Sequence, residues 1–174
     1  MKQQIIVSGL GGQGALTVTR LLAEAAAALG LEVITSETHG MAQRGGTVIS
    51  MVKVGPFRGP LIPAGAADVG LFLAEQNLGV HRGYLAPEAR VFVNSSAAGD
   101  CFRVDARRLA EDMGAPVAAN LILLGFVVAQ GGLFCGVELL ARLITEKIPA
   151  RFRDTNLRAF RLGVAAAGEK PQEI

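Results

Sequence analysis

The chain has 174 residues and a formal net charge of +2. That length predicts one domain spanning residues 1–174 with a substantial core, and so small a charge gives no reason to expect a polyanionic partner. Hydrophobic residues make up 51% of the chain, yet it has no Trp and one Tyr, so few aromatic side chains are left to stack on bases and no nucleic-acid partner is expected. Cys101 and Cys135 are single and form no CxxC pair. An iron–sulfur cluster or structural zinc built by this chain alone is therefore not expected, and the cysteine usage suits a reducing, cytoplasmic setting.

Met1-Lys2-Gln3-Gln4 leads straight into a predicted strand over Gln4–Ser8, which leaves no room for a targeting segment. The turn Gly9-Leu10-Gly11-Gly12-Gln13-Gly14 follows, then a helix over Ala15–Leu29 with Val18, Leu21, Leu22, Ala25 and Leu29 on one face. Gly30 suits the end of that helix. Strands are predicted over Glu32–Ser36 and Thr47–Val54, and a Pro/Gly-rich loop runs from Gly55 to Pro63. Val69–Ala74 reads as a fourth strand, Leu78–Gly83 as a short helix, Arg90–Val93 as a fifth strand and Phe102–Val104 as a short sixth. Asp105 is the expected N-cap of a helix ending near Met113. Further helices are predicted over Val117–Gln130, Val137–Lys147 and Arg151–Val164, the last with a solvated basic face, and the tail from Gly168 is expected to fray.

No charged residue occurs between Gly114 and Val137. The helix within that stretch would be roughly 20 Å long, against the roughly 30 Å of a bilayer core. It reads as a buried helix or a subunit contact, not a membrane span. Asn120 inside it needs a partner if buried.

Alternating strands and helices predict an α/β fold, a Rossmann-like three-layer arrangement with a largely parallel sheet. Ligands of such sheets bind at the carboxyl ends of the strands. The Gly9–Gly14 turn, Glu37 with the His39–Gly46 loop, Glu75 with Gln76, and Asn94 with Ser95 should converge there. Gly9, Gly11 and Gly14 satisfy a dinucleotide fingerprint, with Glu37 placed for a ribose hydroxyl. Against this, Gln13 is bulky for a turn that approaches a pyrophosphate, and glycines also serve simply to close a tight turn. Arg44, beside Gln43, Gly45 and Gly46, offers a planar fork for carboxylate or phosphate, or a structural ion pair with Glu37 or Glu75. His39 reads better as a loop histidine bonded to backbone than as an acid–base group. His81 reads as a surface residue. No Ser/His/Asp or paired-carboxylate set follows from spacing, so no catalytic residue is expected.

Gly9–Gly14, the Ala-rich helix after it, and Ser36-Glu37-Thr38-His39-Gly40-Met41-Ala42-Gln43-Arg44-Gly45-Gly46 together resemble the gamma-type domain of 2-oxoacid:ferredoxin oxidoreductases. The His-Gly-Met-Ala-Gln-Arg-Gly-Gly wording is most similar to the small subunit of indolepyruvate ferredoxin oxidoreductases. Similarity continues through Leu61-Ile62-Pro63, Ala67-Asp68-Val69, Ala119-Asn120, Leu124-Gly125 and Asn156–Phe160. The resemblance implies an accessory subunit in the oxidative decarboxylation of a 2-oxoacid to an acyl-coenzyme A. Thiamine diphosphate and iron–sulfur clusters would then sit in a larger catalytic partner subunit, coenzyme A would be the co-substrate, and ferredoxin would be reached through the complex. The isolated chain would be inactive and open to homo-oligomerisation. The implied cofactor-side residues are Gly9, Gly11, Gly12, Gln13, Gly14, Glu37, His39, Gln43, Arg44, Gly45 and Gly46. A free-standing NAD(P)- or nucleotide-binding protein is the alternative, and an interaction module using the uncharged helix is a third reading.

Overall fold

The computed structural model describes residues 1–39 and 45–168, with only the backbone of His39. Its strands are β1 (Gln3–Leu10), β2 (Val33–His39), β3 (Thr47–Val54), β4 (Ala67–Phe72), β5 (Leu85–Asn94) and β6 (Phe102–Val104). Its α-helices are α1 (Ala15–Ala28), α2 (Gln76–His81), α3 (Ala106–Asp112), α4 (Ala119–Ala129), α5 (Val137–Lys147) and α6 (Ala150–Ala166), with short 3-10 turns at Arg82–Tyr84 and Pro116–Ala118. The predicted tail beyond Gly168 lies outside the described residues.

The strands form one sheet in the order β2-β3-β1-β4-β5-β6. Pairings β1–β4, β4–β5 and β5–β6 are parallel. Strand β3 runs antiparallel to both of its neighbours, β1 and β2. All strands but β3 therefore point the same way, and the largely parallel α/β expectation holds. The reversal follows from chain length: a parallel crossover needs a dozen or more residues, and only residues 40–46 separate β2 from β3.

Alternation along the strands sorts the core into two. Ile5 and Val7 of β1, Val52 and Val54 of β3 and Leu71 of β4 pack beneath α1, α3, α4, α5 and α6. Ile6, Met51, Phe72 and Val93 face the other way, under a thinner layer made by Ile62 of the Pro/Gly-rich loop, Leu78 of α2 and Tyr84. Lys53 ties that loop down: it is buried, its Nζ donates to the Leu61 carbonyl at 2.9 Å, and it lies 4.7 Å from the Phe57 ring centroid. On α1, Val18, Leu21, Leu22 and Ala25 are buried as predicted, but Leu29 caps the helix and is 49% exposed. Asp105 caps α3 as predicted, accepting from the Arg108 N–H at 3.0 Å.

The uncharged helix α4 is covered within the chain. Every residue from Asn120 to Val128 is buried, so it offers no face to a partner, and the interaction-module reading loses its motivation. Among the described residues no helix is long and apolar enough to cross a membrane. Helices α4 and α6 approach through two glycines: a Cβ on Gly125 would strike the Phe160 carbonyl, and one on Gly163 would strike the Ile122 carbonyl. Mid-helix Gly→Ala normally gains up to about 1 kcal/mol from helix propensity. Here backbone lies in the way on both sides, and overpacking costs about 1–3 kcal/mol. Gly125→Ala and Gly163→Ala are therefore each expected to lower the melting temperature, measured by circular dichroism. Burial holds the Cys135 thiol up at about 12, whereas Cys101 is only half-buried. Iodoacetamide on the native chain is expected to label Cys101 first, as peptide mass mapping would register.

Candidate functional site

The two glycine-bearing bends meet on one rim. Strand β1 pairs with β3 along its whole length, to Leu10↔Thr47. The ladder then runs one step past both strands, where the Gly11 N–H donates to the Gly46 carbonyl at 2.8 Å. A Cβ on Gly11 would lie 3.6 Å from the Gly45 nitrogen. Gly12 and Gly14 take positive φ, 93° and 82°, a conformation that costs glycine little. Gly14 is the N-cap of α1, with no side-chain cap and no acid in the first turn. The N–H groups at the start of a helix lack intrahelical acceptors and favour anions.

Beside this turn lies a cleft of about 320 Å³, lined by Gly11, Gly12 and Gly14, by Leu16 of α1, and by Glu37 and Ser50, which face each other across β2 and β3. Gln43 and Arg44 lie outside the described residues, as does the side chain of His39. Gln13 turns inward: its Oε1 accepts from the Leu10 N–H at 2.7 Å and closes the turn from within. Its bulk is thereby kept off the path of a ligand, and its amide oxygen serves the loop.

The other two polar groups predicted for this edge form a separate network. Ser95 Oγ donates to Glu75 at 2.6 Å, and Arg103 bonds the other Glu75 oxygen at 2.6 Å. The Ser95 hydrogen bond and then Arg103 hold the Glu75 carboxyl below its usual range. Asn94 bonds the Leu73 carbonyl at 3.1 Å and accepts from the Arg107 N–H at 3.1 Å. These residues stitch the ends of β4, β5 and β6 together. Glu75 is thus committed to Arg103, which argues against it as the ion-pair partner of Arg44.

Two further groups hold the turn. Asn120 reaches from α4 and its Nδ2 donates to the Gly14 carbonyl at 3.2 Å, while its buried Oδ1 has no hydrogen-bond partner. On the opposite sheet face, Ser8 and Asn77 are fully buried. Ser8 Oγ lies 2.7 Å from His81 Nδ1, and Asn77 Nδ2 donates to Ser8 Oγ at 3.1 Å and to the Gly9 carbonyl at 2.5 Å. The expectation that His81 is a surface residue is corrected here: it is half-buried, and its ring is engaged. The sequence gives no local signal for this contact, since Ser8 and His81 are 73 positions apart.

The strand order decides against the dinucleotide reading. In a dinucleotide-binding fold the acid-bearing strand neighbours the first strand directly. Here β3 lies between β1 and β2, which sets Glu37 two strand spacings away, about 9–10 Å. The residues 4–166 match the family model described as pyruvate ferredoxin/flavodoxin oxidoreductase. The chain belongs to that family. It is 34% identical to the indolepyruvate oxidoreductase subunit IorB of Archaeoglobus fulgidus, over 94% of each chain. It superposes on the gamma subunit of keto/oxoacid ferredoxin oxidoreductase from Geobacter sulfurreducens with a TM-score of 0.78 at 25% identity, covering 95% of this chain and 98% of that one. The same fold occupies 32% of a longer chain, with a TM-score of 0.80 at 20% identity over 99% of this chain, in the 2-oxoglutarate:ferredoxin oxidoreductase of Magnetococcus marinus, solved with 2-oxoglutarate, coenzyme A and succinyl-CoA bound. The chain is an IorB-like small subunit of a 2-oxoacid:ferredoxin oxidoreductase.

The donor set of the described residues does not fit the redox centres of such an enzyme. Among the described residues no three His, Cys, Asp or Glu side chains come together. Cys101 packs against one sheet face and Cys135 against the other.

Burial lowers the His81 pKa. The unfolded chain therefore binds more protons than the folded one between the folded value and the ordinary imidazole value of about 6.5, and stability falls as the pH drops through that window. Thermal melts between neutral pH and about pH 5.5 should show this loss in the wild type, and His81→Asn should show less of it.

Proposed function

We propose that this chain is the accessory subunit of an arylpyruvate-type oxidoreductase acting on indolepyruvate. In this reading its glycine-turn cleft holds one end of coenzyme A against a larger catalytic subunit. The observation that carries the proposal is the closure of Gly11 onto Gly46 beside a cleft that Gly11, Gly12 and Gly14 line. At about 320 Å³ the cleft sits at the small end of ligand sites, which span roughly 300–1,000 Å³. It suits part of a nucleotide-sized molecule, and a second protein surface would cover the rest.

The chemistry is divided accordingly. The N–H groups of the first turn of α1 suit phosphate oxygens. Glu37 lines the same cleft from β2. Arg44, carried by the sequence between Gln43 and Gly45, would bring the positive charge over the anion. Gly9 and Gln13 shape the turn from inside, and His39 borders the same loop. Thiamine diphosphate and the iron–sulfur clusters belong to the partner in this reading, which also presents the electrons to ferredoxin. The name of the Archaeoglobus relative supports indolepyruvate as substrate, and the pocket that selects it would lie largely outside this chain. The absence of a membrane-crossing helix among the described residues and the unlinked cysteines support a cytoplasmic setting. Self-association of the isolated chain would be a consequence of its uncovered rim.

The purified chain alone is expected not to reduce a viologen dye with indolepyruvate and coenzyme A, and adding the large subunit is expected to produce turnover. Arg44→Ala should raise the coenzyme A KM of the assembled enzyme about tenfold, equivalent to about 1.4 kcal/mol. Calorimetric titration of the chain with NADH should release no saturable heat. Full activity from the chain alone, or micromolar NADH binding, would overturn the proposal.

A further inference from the structure

Strand β4 leaves the sheet just where the glycine turn begins. The parallel β1–β4 register ends at Ser8↔Phe72, and the last ladder bond runs from the Leu73 N–H to the Ser8 carbonyl at 2.7 Å. The next residue, Gly9, faces Val48 of β3, and its buried carbonyl also accepts from outside the sheet, from the Asn77 side-chain amide of α2 at 2.5 Å. The start of the turn is thus held by a side chain on the α2 face, and Gly11 is held by its bond to the Gly46 carbonyl.

The Asn77 amide is costly in this place. Its Oδ1 is buried with no hydrogen-bond partner, and leaving such an acceptor unpaired costs about 1–3 kcal/mol. Rotating the amide to satisfy it would point oxygen at the Gly9 carbonyl. Ser8 Oγ accepts from Asn77, so its own proton is free to point at His81 Nδ1, 2.7 Å away. That arrangement requires an unprotonated Nδ1 and puts the ring proton on Nε2. The other groups described around His81 are the Tyr84 ring at 6.2 Å and, in sequence, Arg82.

We infer that Asn77, oriented by Ser8 and His81, is a positioning residue that sets the geometry of the Gly9–Gly14 turn and thereby its grip on an anionic ligand. The inference rests on the reading of that turn as the coenzyme A contact. It assigns a role in ligand binding to α2, an element on the sheet face opposite α1, none of whose residues lines the cleft. No proton leaves the network in this role: His81 acts as a fixed acceptor.

Three measurements test it. Nitrogen-15 NMR of the wild-type full chain at about pH 7.5 should find His81 with a bare Nδ1 and a protonated Nε2; a protonated Nδ1 would overturn the inference. Amide hydrogen exchange at Gly11, Gly12 and Gly14 should speed up about tenfold in Asn77→Leu while α5 amides stay unchanged. Equal exchange at the turn, or equal acceleration everywhere, would overturn it. In the enzyme assembled with the large subunit, Asn77→Leu and His81→Leu should raise the coenzyme A KM about fivefold with kcat within about twofold of wild type. His81→Asn, whose Oδ1 can stand where Nδ1 accepts, should restore the KM. A fall in kcat at unchanged KM, or no restoration by His81→Asn, would overturn the positioning role. If the assembled wild-type enzyme needs no coenzyme A, the proposed function fails, and the tautomer and exchange results still decide whether Asn77 holds the turn.

Discussion

The insertion of β3 between β1 and β2 is the constraint on which the rest of this structure depends. It is enforced by an eight-residue antiparallel ladder, Gln3↔Val54 to Leu10↔Thr47. The link from β2, residues 40–46, is too short for anything but a return. The consequence is geometric. A strand that runs backwards starts at the edge where its neighbours end, so the beginning of β3, with Gly45 and Gly46 just before it, arrives beside the glycine turn. A parallel β3 would have started at the opposite edge. Gly11 and Gly46 share a rim because one strand is reversed.

The same reversal changes what a familiar glycine pattern means. Locally, Gly9–Gly14 does everything a dinucleotide turn does: it leaves a buried strand, takes two positive φ angles and opens a helix with uncapped N–H groups. What is lost is the neighbouring strand with its ribose-binding acid. Glu37 instead faces Ser50 on the far side of β3, and the space between becomes a shallow cleft. In the proposed reading, a ligand there would meet the glycine backbone of the turn on one wall. Gln13 completes the divergence by closing the turn on itself.

How much of this could be read from the sequence depends on the range of the interactions involved. Ile5-Ile6-Val7, the glycine turn, the α1 face and the Asp105 cap rest on residues close together in the chain, and the structure has them where periodicity and capping chemistry put them. The start of β5 is different. Leu85–Ala89 carries Pro87, Glu88 and two alanines, a poor strand sequence, yet β5 begins at Leu85 because Ala67 pairs with it across a register shift. Tertiary pairing overrides weak propensity there. Helix α2 begins at Gln76, two residues before its apolar pattern, since Asn77 is drawn in by the Gly9 carbonyl. The apolar run in α4 was open to two readings because composition does not distinguish a core helix from a contact helix; Gly125 and Gly163, which let α6 lie against it, settle the matter only when both helices are in view. Likewise Ser8, Asn77 and His81 are individually unremarkable and become a network only through the β1–α2 contact.

The distribution of polar groups along the rim carries the last step. Over β4, β5 and β6 the carboxylate, hydroxyl and guanidinium of Glu75, Ser95 and Arg103 satisfy one another, and Asn94 bonds backbone on both sides. That half of the edge is closed. Over β1 and β3 the chain does the opposite: it spends side chains (Gln13, Asn77 and Asn120) on holding backbone in place, and leaves the N–H groups at the head of α1 without a side-chain cap. Rigid backbone is what an anion site requires, because donors fixed beforehand need no reorganisation when charge arrives. In a small subunit of a larger complex, such pre-organisation suits the proposed reading, in which the charge is delivered from elsewhere. The neighbouring surface of a larger subunit is where a ligand bridging two chains would come from.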